Sequence, residues 1–216
     1  MTDGQELKVV VSADTGPPCR IVILASGTGS LAQAVLDAST DGGCHYRVAA
    51  LVSDRDCEAV DRASRAGLAT AVVRPGDHGD RAAWDRALTD VVRSFEPDWV
   101  VSAGFMRILG PEFLGEFDGR VVNTHPALLP AFPGAHAVRD ALAYGVTVTG
   151  CTVHLVDAGV DTGPVIAQRA VDVRHDDTEA TLHERIKIVE RELLVDVLAA
   201  AAGGRLRTEG RKVHLS

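Results

Sequence analysis

Two short runs in this chain are apolar at successive positions: Ile21-Val22-Ile23-Leu24-Ala25, and Trp99-Val100-Val101 leading into Ser102-Ala103. A strand with one face in water alternates apolar and polar side chains, because neighbouring residues point to opposite faces. A strand that is apolar throughout must be covered on both faces, which means the interior of a parallel sheet with helices above and below. The rest of the chain is patterned to match that demand.

Helical stretches separate the apolar runs. Residues 31–39 carry Leu31, Ala34, Val35 and Ala38 on one face, and a helix over 57–66 is closed by Gly67. Asp80 is suited to cap a helix reaching Phe95, with Trp84, Leu88, Val91, Val92 and Phe95 turned to the core. Further strands are expected over 48–52, 69–73 and 120–122, then a short helix over 138–144 and two longer strands over 149–156 and 165–173. A long helix over 178–201 buries Leu182, Ile186, Val189, Leu193 and Val197, and a small hairpin turns at Glu209-Gly210. The expected fold is therefore α/β: a three-layer sandwich built on a mostly parallel, doubly wound sheet with helices on both faces, a long C-terminal helix and a terminal hairpin. Residues 19–216 are expected to form a single domain behind a loose tail over 1–18.

A net charge of −8 argues against a general nucleic-acid binder. No apolar run approaches the roughly 20 residues of a membrane span, and the acidic start MTDGQELK is not a secretory signal. Cys19, Cys44, Cys57 and Cys151 include no CxxC pair, which fits inert thiols in a reducing cytoplasm. The histidines show no metal-ligand spacing, so no metal site is expected; all but His125 read as surface or core residues, with His136 a candidate pocket wall.

Four segments carry chemistry. Asn123 and His125 sit two apart at the end of a strand, so they share a face, and Pro126 and Pro130 then break the regular structure. An amide and an imidazole there can stabilise an oxyanion and move a proton; the bland alternative is a buried Asn–His pair satisfied by backbone groups. Ser26-Gly27-Thr28-Gly29-Ser30 joins a strand to a helix, as a phosphate cradle does and as a plain βα turn does. In the stretch from Asp157 to Gly163, Asp161 or Asp157 could reach His125 and set its charge and orientation, and spacing does not separate them. The loop from Ala103 to Leu109, with Phe105, Met106, Arg107 and Ile108, is suited to a flat ring system or to ordinary packing.

Together with Asp161-Thr162-Gly163-Pro164-Val165-Ile166, these segments closely resemble the phosphoribosylglycinamide formyltransferases, the folate-dependent glycinamide ribonucleotide transformylases of purine synthesis. The likeness runs from about residue 20 to about residue 200. It implies transfer of a formyl group from 10-formyltetrahydrofolate to the amine of phosphoribosylglycinamide, with Asn123, His125 and Asp161 catalytic and no metal. It implies a ribonucleotide site at Gly29, Ser30, Leu31, Lys187 and Glu190, and a folate site at Arg81, Met106, Arg107, Ile108, Leu109 and Asn123. Residues 19–119 then form the phosphate-binding half and 120–216 the catalytic and folate-binding half. Small-molecule substrates and a cytoplasmic setting follow, with a homodimer left open. Leu31 stands where the family carries asparagine, a tolerable change if only the backbone N–H meets the phosphate.

The resemblance further implies a neutral amine attacking the formyl carbon, Asn123 donating to the oxyanion, and Asp161 keeping His125 as an imidazolium. The rivals are a formyltetrahydrofolate deformylase, expected to carry a further N-terminal domain, a methionyl-tRNA formyltransferase, expected to carry a tRNA-binding domain, and a catalytically dead binding module.

Overall fold

The computed structural model describes residues 17–40 and 44–215, so most of the tail expected over 1–18 lies outside the described residues. Within them the order is β1 (Cys19–Leu24), α1 (Ser30–Thr40), β2 (Tyr46–Ser53), α2 (Glu58–Arg65), β3 (Ala69–Val72), α3 (Arg81–Ser94), β4 (Trp99–Ser102), α4 (Pro111–Glu116) and β5 (Val121–His125). Then follow α5 (Ala137–Tyr144), β6 (Val148–Leu155), β7 (Val165–Asp172), α6 (Glu179–Ala202) and the hairpin β8 (Leu206–Glu209) and β9 (Lys212–Leu215). A single turn of 3₁₀ helix at Pro75–Asp77 leads into α3.

Among the described residues, seven strands form one sheet in the order β3-β2-β1-β4-β5-β6-β7. The first five run parallel, while β6 is antiparallel to both β5 and β7. The connection over 156–164 is too short for a crossover helix, so β7 returns beside β6 in the opposite sense. The expectation of a mostly parallel sheet holds, with this pair as its antiparallel edge.

The uninterrupted apolar runs are buried on both faces, as their composition requires. Ile21, Ile23, Val101 and Val122 pack into a core with α1, α2, α5 and α6, whereas Val22, Leu24, Val100 and Val121 pack beneath α3 and α4. Local signals end the helices where expected. The Asp80 carboxylate accepts the Ala83 N–H at 2.7 Å, and Thr178 with Thr181 closes a capping box on α6. Along α6, Val189 is only half-buried, and Glu190 takes the interior position beside it.

Strand order reverses between β1 and β4, and the carboxyl ends of the two strands flank the crevice where doubly wound sheets bind ligands. Opposite that crevice, Asp85 performs a task its sequence position did not announce. It is buried in α3, and its carboxylate accepts the N–H groups of Gly110 (2.8 Å), Glu112 (3.0 Å) and Phe113 (3.3 Å), capping α4 from another helix. Asp85→Ala is expected to leave these donors unsatisfied and to lower unfolding stability by about 3 kcal/mol. A urea unfolding midpoint equal to that of the unsubstituted protein would contradict this account of α4.

Candidate active site

Strand β5 ends at His125, and its side chains alternate across the sheet. Thr124 faces the α6 layer, where its side chain hydrogen-bonds Glu190, while Asn123 and His125 emerge on the α3 side of the strand end. Glu190 is buried, and burial pushes its carboxyl up against the opposing pull of Thr124.

His125 is buried between two acceptors. Its Nε2 lies 2.7 Å from the Phe132 carbonyl and its Nδ1 lies 3.3 Å from Asp161 Oδ2. A carbonyl only accepts, so Nε2 carries the hydrogen and Nδ1 faces the carboxylate. Burial disfavours the charged ring and outweighs Asp161 and the Phe132 carbonyl, which favour it, so His125 titrates below its ordinary value. Both ring nitrogens thus face acceptors, the arrangement of an imidazolium that donates from each, while burial opposes that charge. A proton arriving at Nδ1 would come to rest between the ring and a carboxylate.

Both partners of the ring are held in unusual backbone. Phe132 has φ of 52° and Asp161 φ of 54°, left-handed conformations that cost non-glycine residues about 1–2 kcal/mol each. The loop over 126–133 contains a cis peptide at Leu129-Pro130 and is tied down by Thr152, whose Oγ1 donates to the Ala127 carbonyl at 2.6 Å and accepts the Leu129 N–H at 3.0 Å. The Asp161 loop is fixed as firmly. Its Oδ2 accepts the Gly134 N–H at 2.7 Å, and Arg211 of the hairpin donates to the Thr162 carbonyl at 2.8 Å. A Cβ on Gly163 would come within 1.8 Å of the Leu155 carbonyl oxygen, so only glycine lets the loop fold back this closely. Asp161 is held below the ordinary carboxylate range by His154, the Gly134 N–H and His125, against burial. Asp157, the competing candidate, instead accepts the Gly159 N–H and the Thr162 hydroxyl and so builds the turn.

One member of the cluster escaped sequence reasoning. His154, read as an unremarkable core or surface residue, pairs directly across from Asn123 in the β5–β6 ladder. Its Nδ1 lies 2.8 Å from the Leu155 carbonyl and donates there, while its Nε2 lies 3.2 Å from the Asn123 amide nitrogen and 3.7 Å from Asp161 Oδ1. That leaves an amide hydrogen of Asn123 for a ligand. Only the register of two antiparallel strands reveals the partnership. His136 is exposed at the start of α5, outside this cluster.

The glycine-rich turn follows β1 at the crevice. Gly29 has φ of +76°, and a Cβ there would lie 2.7 Å from that of Ala59, so the turn packs flush against α2. Ser30 and Leu31 open α1, where first-turn N–H groups lack intrahelical partners and favour an anion. The Leu31 side chain packs against the core, which leaves its N–H as the group it offers a ligand. Lys187 lies half-buried one turn before Glu190, with its ammonium 2.8 Å from Glu184.

The opposite wall is the loop after β4. Ser26 donates its N–H to the Gly104 carbonyl at 3.2 Å and accepts the Met106 N–H on its hydroxyl at 2.9 Å. Arg81 stacks its guanidinium 4.7 Å from the Trp84 ring and donates to the Ile108 carbonyl. Asp85 holds Gly110 at the far end. On this fastened backbone Met106 is 72 % exposed and Ile108 62 % exposed, an apolar surface without cover. The Leu109 side chain is buried in the core, so of the four loop residues expected to meet folate it can offer only backbone.

The chain matches a family model described as Formyl transferase over residues 19–198. It is 58 % identical over 204 residues to a phosphoribosylglycinamide formyltransferase of Mycobacterium tuberculosis, covering 92 % of this chain and 94 % of that one. A crystal structure of glycinamide ribonucleotide transformylase 1 from Symbiobacterium toebii superposes with a TM-score of 0.90 at 43 % identity, over 93 % of this chain and 95 % of that one. A formyltetrahydrofolate deformylase from Pseudomonas syringae superposes with a TM-score of 0.85 at 26 % identity, over 92 % of this chain and 66 % of that one. The fold, the strand-end residues and a family match across most of the domain agree: this chain belongs to the formyl transferase family.

Proposed function

We propose that the protein transfers the formyl group of 10-formyltetrahydrofolate to the amine of 5′-phosphoribosylglycinamide, giving formylglycinamide ribonucleotide and tetrahydrofolate. The observation that carries this reading is that Asn123 and His125, at the end of β5, share the carboxyl edge of the sheet with a turn suited to a phosphate after β1 and a fastened loop with exposed apolar side chains after β4. The 58 % identity to a phosphoribosylglycinamide formyltransferase favours this acceptor over water.

The proposed chemistry starts from the neutral ring, the form that burial favours. The amine nitrogen attacks the formyl carbon, and negative charge gathers on the former carbonyl oxygen. The free N–H of Asn123 donates to that oxygen, and its orientation is already set by His154. The amine proton passes, directly or through solvent, to Nδ1 of His125, where Asp161 stabilises the imidazolium as it forms. The bond from the formyl carbon to the folate nitrogen then breaks, and that nitrogen takes up a proton.

Gly29, Ser30 and Leu31 would hold the phosphate, with Glu190 and Lys187 toward the rest of the ribonucleotide. Arg81, Met106, Arg107, Ile108 and the Leu109 backbone would receive the folate. The 19–119 half would supply the phosphate turn and the 120–216 half the catalytic groups. The same reading carries small-molecule substrates, a cytoplasmic setting and either one copy or two, which sedimentation would decide.

Release of tetrahydrofolate from 10-formyltetrahydrofolate should require phosphoribosylglycinamide; release at the same rate without it would identify a deformylase instead. His125→Ala should lower kcat by about 10²–10⁴ with the thermal midpoint little changed. Near-normal turnover in that variant would remove His125 from the chemistry.

The pH profile tests the neutral ring. With His125 below its ordinary value of 6.5, kcat/KM should climb with pH on the acid side, reach half its plateau below 6.5, and be level at neutrality. Asp161 favours the charged ring, so Asp161→Asn should move this midpoint further to acid while lowering the plateau. A profile that falls as pH rises from 5 to 7 would mean that the charged ring is the active one.

A further inference from the structure

Asp54 follows β2 at the carboxyl edge of the sheet, and its side chain is wholly buried. It takes two guanidiniums: Arg55, with Nη2 at 2.8 Å from Oδ2 and Nε at 3.2 Å from Oδ1, and Arg107, with Nε at 2.7 Å from Oδ2. Burial disfavours the carboxylate, but Arg55, Arg107 and the Ser26 hydroxyl outweigh it and hold its pKa down to about 2. It is therefore charged at any working pH.

An ionised side chain with no exposure costs several kcal/mol in lost hydration, so its partners must be well placed. Arg55 is its neighbour in sequence, while Arg107 arrives from 53 residues away, out of the loop that carries Met106 and Ile108. The bond to Arg107 uses Nε, the guanidine nitrogen nearest the backbone, so it fixes the stem of the side chain. Flanking contacts reinforce that hold, because Ser26, beside the same carboxylate, also accepts the Met106 N–H.

We infer that Asp54 is a positioning residue for folate: by holding Arg107 at Nε it fixes the loop over 106–108 in the shape that receives the folate ring system. It touches no substrate and acts through Arg107. The inference rests on the reading of this loop as the folate site.

Asp54→Asn keeps the shape of the side chain and removes its charge. Its KM for 10-formyltetrahydrofolate should rise about tenfold, the loss expected when a charge-assisted hydrogen bond goes, while KM for phosphoribosylglycinamide changes less than about twofold. A purely structural role would raise both constants or lower the thermal midpoint alone, and either result overturns the inference. The cycle with Arg107→Ala is the decisive measurement. If Asp54 works through Arg107, Asp54→Asn adds little once Arg107 is gone; a full additional tenfold rise there overturns the inference. If Asp54→Asn does not accumulate folded, Arg107→Lys breaks the same bond from the exposed end, and an unchanged folate KM overturns it. Should Arg107→Ala itself leave folate KM unchanged, together with Met106→Ala and Ile108→Ala, the reading of the loop fails; a rise in those variants with none in Asp54→Asn sinks the positioning role alone.

Discussion

The reversal of strand direction after β5 is the constraint on which the site depends. Five parallel strands carry their carboxyl ends to one edge, but a sixth parallel strand would have brought its own carboxyl end there too. Because β6 runs the other way, His154 lies directly opposite Asn123, and Thr152 lies opposite His125 where it can tie down the proline loop. The short return from β6 to β7 then lays Asp161 against His125. A slip of one residue in this ladder would turn His154 to the other face and leave the Asn123 amide without its partner.

Around that ladder the fold sets a polar, strained cluster into an apolar frame. His125 gives up hydration to sit between the Phe132 carbonyl and Asp161, and both of those residues occupy left-handed backbone. The frame can hold such a cluster because the sheet beneath it is buried on both faces, with Ile21, Val22, Ile23 and Leu24 at or near zero exposure. Arg211, Asp157 and the close fit of Gly163 hold the Asp161 loop from three directions. The loop after β4 is similarly fastened, so its exposed methionine and isoleucine stand on a backbone held by Ser26, Arg81 and Asp85.

Much of the architecture was legible from local pattern. Apolar runs located the strands, Asp80 and Thr178 marked helix starts, and the Asn123–His125 spacing placed both side chains on one face. What remained hidden depended on contacts between segments distant in the chain. Asp85 looks like any helical acid until α4 folds across it, and His154 looks like any strand histidine until its register is known. Asp157 and Asp161 are equivalent as letters, and only the folded loop sets Asp161 beside His125 while Asp157 holds the turn. The charge on His125 depends on two opposed effects, and one of them was legible: an acidic neighbour can be guessed from sequence, whereas the depth of burial opposing it cannot.

The backbone at Phe132 and Asp161 has a bearing on protein engineering. Glycine adopts left-handed backbone without the steric cost other residues bear there, so these two positions invite glycine as a way to relieve strain. They are also the two residues that clasp the His125 imidazole. Glycine at 132 would relax the strain but loosen the carbonyl that fixes Nε2, and glycine at 161 would delete the carboxylate. The strain is concentrated at the two residues that hold the His125 ring, so a hardened version that keeps this cluster must draw its gains from elsewhere in the fold.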